Sequence, residues 1–192
     1  MGGLKSKMAK MFVFKNGEDK LDDVPKSFFD LKMKDIRGEQ VDFNSYRGKH
    51  KAFIIVNVAS ACGLTDANYR QLAKMHEEYG PKGLQIMGFP CNQFKDQENE
   101  CELDIEKFIR EKFNVKFQMF SKIEVNGKNC NQLYRYLRRN SELWDEKKGT
   151  AKEIQWNFAK FVLDAEGKVV AFKEPTTKPN EFKPLIEELL SK

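Results

Sequence analysis

Thiols are the groups in this chain best placed to do chemistry, and four of them stand at positions 62, 91, 101 and 130. No two form a CxxC pair, and only His50 and His76 are available to complete a metal site, so no metal centre is expected. Structural disulfides are not expected either, because nothing points to a secreted chain and cytosolic thiols stay reduced. Cys62 has the most informative setting. It follows the apolar run Phe53-Ile54-Ile55-Val56, which reads as a buried strand, and it precedes a segment with helical periodicity. A helix N-terminus presents free N–H groups and partial positive charge, which favour a thiolate. Cys91 reads as a small buried packer and Cys130 as a bystander. Cys101 lies at the expected start of a later helix and is a weaker candidate for a resolving thiol. The two histidines read as surface or core residues. Gln97 in a polar loop and Trp156-Asn157 at the opening of a strand are each unremarkable alone.

The elements that position these residues follow from the pattern. Residues 28–33 and 39–43 alternate around Arg37-Gly38 as a β-hairpin does. Residues 51–58 form a continuous apolar strand, so a sheet covered on both faces is expected. Thr65 or Asp66 can cap a helix running to about Tyr79, with Tyr69, Leu72, Ala73 and His76 along one side. Gly80-Pro81 ends it. A second strand spans 84–89, helices span 103–112 and 131–139, a hairpin joins 158–163 to 168–172, and a helix through Phe182, Leu185, Ile186 and Leu189 closes the chain. The layout is α/β with a mixed sheet. Strand, loop thiol and helix in that order are the plan of the thioredoxin fold.

Residues 1–25 read as a flexible basic tail and 26–192 as one domain. Hydrophobic residues at 40% and charged residues at 33% suit a globular chain in water. No apolar stretch is long enough for a membrane span, and the lysine-bearing start lacks the apolar segment of a secretory signal, so a cytoplasmic protein is expected. The net charge of +5 is mild and no basic run with interleaved aromatics is present, so nucleic acid is not an expected partner.

Four segments, "NVASACGLTDANYRQL", "GFPCNQFKDQE", "KFQMFSKIEVNG" and "WNFAKFVLDAEGKV", occur in an order that resembles the glutathione peroxidase family over residues 27–190. The resemblance implies a thioredoxin-like fold and a peroxidatic residue at Cys62. It further implies that Gln97, Trp156 and Asn157 complete a catalytic tetrad. Chemistry agrees: an indole N–H and two amides are neutral donors that stabilise an anionic sulfur. The implied cycle reduces hydrogen peroxide and organic or phospholipid hydroperoxides through a sulfenic acid on Cys62, with glutathione or another thiol as co-substrate and no bound cofactor. Low-turnover relay of oxidation to a partner protein is the alternative.

Two departures narrow the expectation. Thioredoxin-dependent members carry a resolving cysteine in F-x-C-x-x-F, where this chain has Arg110 between Phe108 and Phe113. Cys101 is the alternative resolving thiol for a thioredoxin-like reductant; without it the chain resembles the single-cysteine type, in which residue 62 is often selenocysteine. The short segment 140–155 resembles the monomeric phospholipid hydroperoxide branch. Arg135, Arg138 and Arg139 fall at helical spacings and are expected to share a basic face for lipid phosphates. Finally, Met1-Gly2-Gly3-Leu4-Lys5-Ser6 fits the myristoylation pattern at Gly2, with lysines following, so peripheral membrane contact is an expectation.

Overall fold

The structure is a computed structural model that describes residues 17–192. Gly2 and the lysines after it lie outside the described residues.

The apolar run becomes β4 (Ala52–Val58), with all seven residues buried. Its alternation splits the core in two. Phe53 and Ile55 join one apolar cluster, and Ile54 and Val56 join the other. β4 pairs in parallel with β5 (Leu84–Pro90), which pairs in parallel with β6 (Gln118–Met119). On its other edge β4 runs antiparallel to β9 (Lys160–Asp164), followed by β10 (Val169–Lys173). The sheet order is therefore β10-β9-β4-β5-β6, a mixed sheet covered on both faces as the continuous apolar strand requires.

One face is covered by α1 (Thr65–Tyr79), α2 (Glu102–Phe113) and α4 (Lys183–Ser191), which contribute Leu72, Ile109 and Ile186 to the cluster on that side. The buried side of α1 runs through Tyr69, Leu72, Met75 and Tyr79, whereas Ala73 and His76 are half-buried. α2 ends at Asn114, whose left-handed backbone lets its N–H bond back to the Arg110 carbonyl. The other face is covered by α3 (Gln132–Arg139), by a 3-10 turn Phe28–Asp30, and by the hairpin of β2 (Lys32–Lys34) and β3 (Gln40–Asp42). Phenylalanines dominate here, with Phe28, Phe43, Phe53 and Phe120 in edge and tilted contacts near 5 Å. Each such burial stabilises the fold by about 1.5–3 kcal/mol.

Two sequence expectations are corrected here. The tail was expected to reach residue 25, yet β1 (Glu18–Asp19) is already paired with β8 (Thr150–Lys152) in a small sheet completed by β7 (Trp144–Asp145). Two-residue strands carry no periodicity, so the pattern was silent. The reason for the pairing is Arg138 on α3. It was expected on a basic surface but is fully buried, and it donates to Asp19 Oδ2 (2.8 Å) and to the carbonyls of Ala151 (3.0 Å) and Lys152 (3.1 Å). Asp19 also accepts from the Gly127 N–H at 2.9 Å. The other two arginines are engaged as well. Arg135 donates to the carbonyls of Cys130 and Asp22, and Arg139 lies over Trp144 and pairs with Glu146. The three do not form one free basic face.

Candidate active site

Cys62 sits in the loop between β4 and α1, three residues before the first helical residue. The expected side-chain cap is absent: Leu64 holds the N-cap position and makes no such bond. Thr65 instead turns back into the loop, donating from Oγ1 to the Ala59 carbonyl (2.6 Å) and accepting from the Cys62 N–H (3.2 Å). The Leu64 N–H points at Cys62 Sγ from 3.5 Å. That N–H gives the sulfur a backbone hydrogen-bond donor just ahead of the helix.

Distant segments converge on this sulfur. A cavity of about 400 Å³ is lined by Cys62, Leu64, Gln97 and Trp156, with Lys95 at its rim and Pro175 and Thr176 on another wall. Asn157 is fully buried, and its Nδ2 donates to Gln97 Oε1 at 3.0 Å. That bond occupies the Gln97 oxygen and fixes the plane of its amide, whose NH2 is a pure donor. Trp156 packs its ring 5.9 Å from Phe94, and the Lys95 ammonium lies 5.5 Å from the indole centroid. A larger groove of about 660 Å³ around His50, Arg70 and His76 contains none of the four residues.

Two residues that the sequence reading passed over hold the segments together. Asn57 on β4 donates from Nδ2 to the Trp156 carbonyl (3.1 Å), and its own carbonyl accepts from the Phe158 N–H (2.6 Å). Phe158 has a φ of +68°, a left-handed conformation costly for a bulky residue. The strand leading to Cys62 thus also fixes the Trp-Asn turn. Glu98, only 1% exposed, accepts from the backbone N–H and hydroxyl of Ser60, while the Ala61 N–H bonds the Gln97 carbonyl. Residues 60–61 are thereby stitched to 97–98. The signal for Glu98 was its place directly after Gln97, but nothing in the pattern foretells the burial of a loop carboxylate.

Burial pushes the Glu98 carboxyl up to about 7 against the Ser60 hydrogen bonds. Between its ordinary value near 4.5 and 7, the folded chain keeps a proton that the unfolded chain has released. Stability should therefore fall as pH rises through that window, by about 3 kcal/mol from this group, and level off above it. Melting temperature followed against pH should show a flatter profile in Glu98→Gln than in the wild type.

A model of the glutathione peroxidase family matches residues 28–138. The chain is 44% identical over 169 residues to a probable phospholipid hydroperoxide glutathione peroxidase from Mesembryanthemum crystallinum, covering 88% of this chain and 95% of that one. It is 45% identical over 167 residues to a glutathione peroxidase from Schistosoma mansoni, covering 86% and 94%. The chain belongs to the glutathione peroxidase family. Among solved structures, the apo form of Trgpx superposes with a TM-score of 0.67 at 31% identity, covering 86% of this chain and 96% of that one. T. cruzi GPX1 gives the same TM-score at 26% identity, covering 86% and 97%. The thioredoxin-like fold expected from the strand, thiol and helix order is thus present.

Within this family framework the remaining thiols separate by environment. Cys91 is fully buried and its thiol is pushed up to about 11 by desolvation, as suits a packing residue. Cys130 is buried, donates to the Val125 carbonyl, and is likewise raised by burial. Cys101 is exposed at the N-cap of α2, with its sulfur 3.0 Å from Asp104 Oδ2, and does not line the Cys62 cavity. Among the described residues no three His, Cys, Asp or Glu side chains gather as a metal site, and no helix is long and apolar enough to cross a membrane.

Proposed function

We propose that this chain is a thiol-dependent peroxidase whose nucleophile is Cys62, acting on hydrogen peroxide and on organic and phospholipid hydroperoxides. The observation that carries the reading is the convergence of Cys62, Gln97 and Trp156 on one cavity, with Asn157 bonded to Gln97 behind it. The thiolate attacks the terminal peroxide oxygen, forming the S–O bond as the O–O bond breaks. Sulfur is oxidised to a sulfenic acid, and the departing oxygen takes a proton to leave as alcohol or water. One thiol then condenses with the sulfenic acid, releasing water and giving a mixed disulfide. A second thiol attacks it, restoring Cys62 and carrying away the oxidised disulfide.

The cycle uses sulfur alone, with the reducing thiol as co-substrate and no bound cofactor. Glutathione is the proposed reductant. Arg110 stands where a resolving cysteine would be and is committed to Glu106 (2.7 Å) and the Val115 carbonyl, while Cys101 is outside the cavity. Peroxide consumption coupled to glutathione and, separately, to thioredoxin tests this. Turnover with glutathione and none with thioredoxin is expected; the reverse would assign a thioredoxin-type cycle and give Cys101 a resolving role. The similarity to proteins named phospholipid hydroperoxide glutathione peroxidase supports the lipid substrate, and in this reading the chain acts as a monomer in the cytoplasm. Membrane contact, in this reading, comes from an acylated Gly2 and its following lysines. Intact mass of protein made in eukaryotic cells, lacking any acyl group at Gly2, would remove that contact.

A further inference from the structure

Lys160 opens β9, four residues after Trp156, and is fully buried. In the sheet it lies between Val56 of β4 and Lys173 of β10. A buried lysine ordinarily needs a carboxylate. Among the described residues Lys160 has no salt bridge, and its Nζ donates instead to two backbone carbonyls, Pro175 (3.1 Å) and Thr177 (2.6 Å). Those residues flank Thr176, and Pro175 and Thr176 form the cavity wall that neither the Cys62 loop nor the Gln97 loop supplies. The segment is a turn after β10, held locally by the Thr177 N–H bond to the Glu174 carbonyl. The lysine ties it to the sheet through two hydrogen bonds. Burial pulls the ammonium down to about 7, but the neutral amine still carries two N–H groups, so both carbonyls stay satisfied in either state.

We propose that Lys160 is a positioning residue for substrate selection: by holding the Pro175 and Thr177 carbonyls it sets one wall of the peroxide cavity and favours bulky hydroperoxides. Replacing the amine with an apolar group leaves two carbonyls without donors, and the wall moves to find others. Hydrogen peroxide needs only the sulfur and its donors, whereas a bulky hydroperoxide also needs the wall. The inference rests on Cys62 being the peroxide-reducing group.

The test uses the full chain and stopped-flow measurement of the second-order rate constants for cumene hydroperoxide and hydrogen peroxide. In Lys160→Met the ratio of the first constant to the second should fall about tenfold or more, and Lys160→Arg, which keeps donors, should recover part of it. A ratio equal to that of the wild type would overturn the proposal. If Lys160→Met does not fold, Thr176→Trp decides through the same ratio: a fall supports selection by this wall, and no change overturns it. A wild-type chain inert to both peroxides would instead defeat the function assigned to Cys62, and this inference with it.

Discussion

Cys62→Ser is expected to reduce peroxide consumption to the uncatalysed background, a loss of about three orders of magnitude or more and so about 4 kcal/mol or more of barrier. A hydroxyl in that loop would meet the same Leu64 N–H and the same cavity, yet it is neither ionised at neutral pH nor able to be oxidised by two electrons. The substitution removes one sulfur atom from a residue only 8% exposed, so circular dichroism and melting temperature should stay close to those of the wild type. The same substitution at Cys101 should leave glutathione-supported turnover intact, since that exposed thiol lies outside the cavity. Full activity in Cys62→Ser would refute the mechanism.

Arg138→Ala is expected to produce the largest loss of stability, about 3–5 kcal/mol. The guanidinium is fully buried and joins Asp19 of β1 to the carbonyls of Ala151 and Lys152. Its removal takes the guanidinium donors from those carbonyls, leaves the Asp19 carboxylate with only the Gly127 N–H and no counter-charge, and opens a cavity beside Cys130. At about 2–4 °C per kcal/mol for a chain of this size, the melting temperature should fall by roughly 6–20 °C. Asp19→Asn keeps an acceptor for Gly127 and Arg138 and should cost less. A change under one degree in Arg138→Ala would contradict the role given to this pair.

How much of this was legible in the sequence follows from which signals are local. β4 announced itself by five apolar positions in a row, Ala52 to Val56, and α1 by its spacing of apolar residues, because burial on a sheet or helix face leaves a pattern in the sequence. Cys62 was legible from its place between them. Gln97, Trp156 and Asn157 were individually silent and became readable only through the resemblance, since a contact between Asn157 and Gln97 spans 60 residues and has no period. Asn57 and Glu98 sat inside the quoted motifs and were still missed, because the demand that makes each of them necessary is a backbone group elsewhere in the chain. Arg138 misled for the opposite reason: helical spacing with Arg135 and Arg139 is real, but spacing cannot show that the small sheet of β1, β8 and β7 covers one of them.

The central claim is that peroxide oxidises Cys62 and not another thiol. Its most direct test is mass spectrometry of the reduced chain after one equivalent of hydroperoxide, with reactive thiols trapped and peptides assigned. The expected product is a single added oxygen, trapped as a sulfenic acid on Cys62, with Cys91 and Cys130 unmodified. Oxygen appearing first on Cys101, or no sulfenic acid on Cys62 while peroxide is consumed, would contradict it.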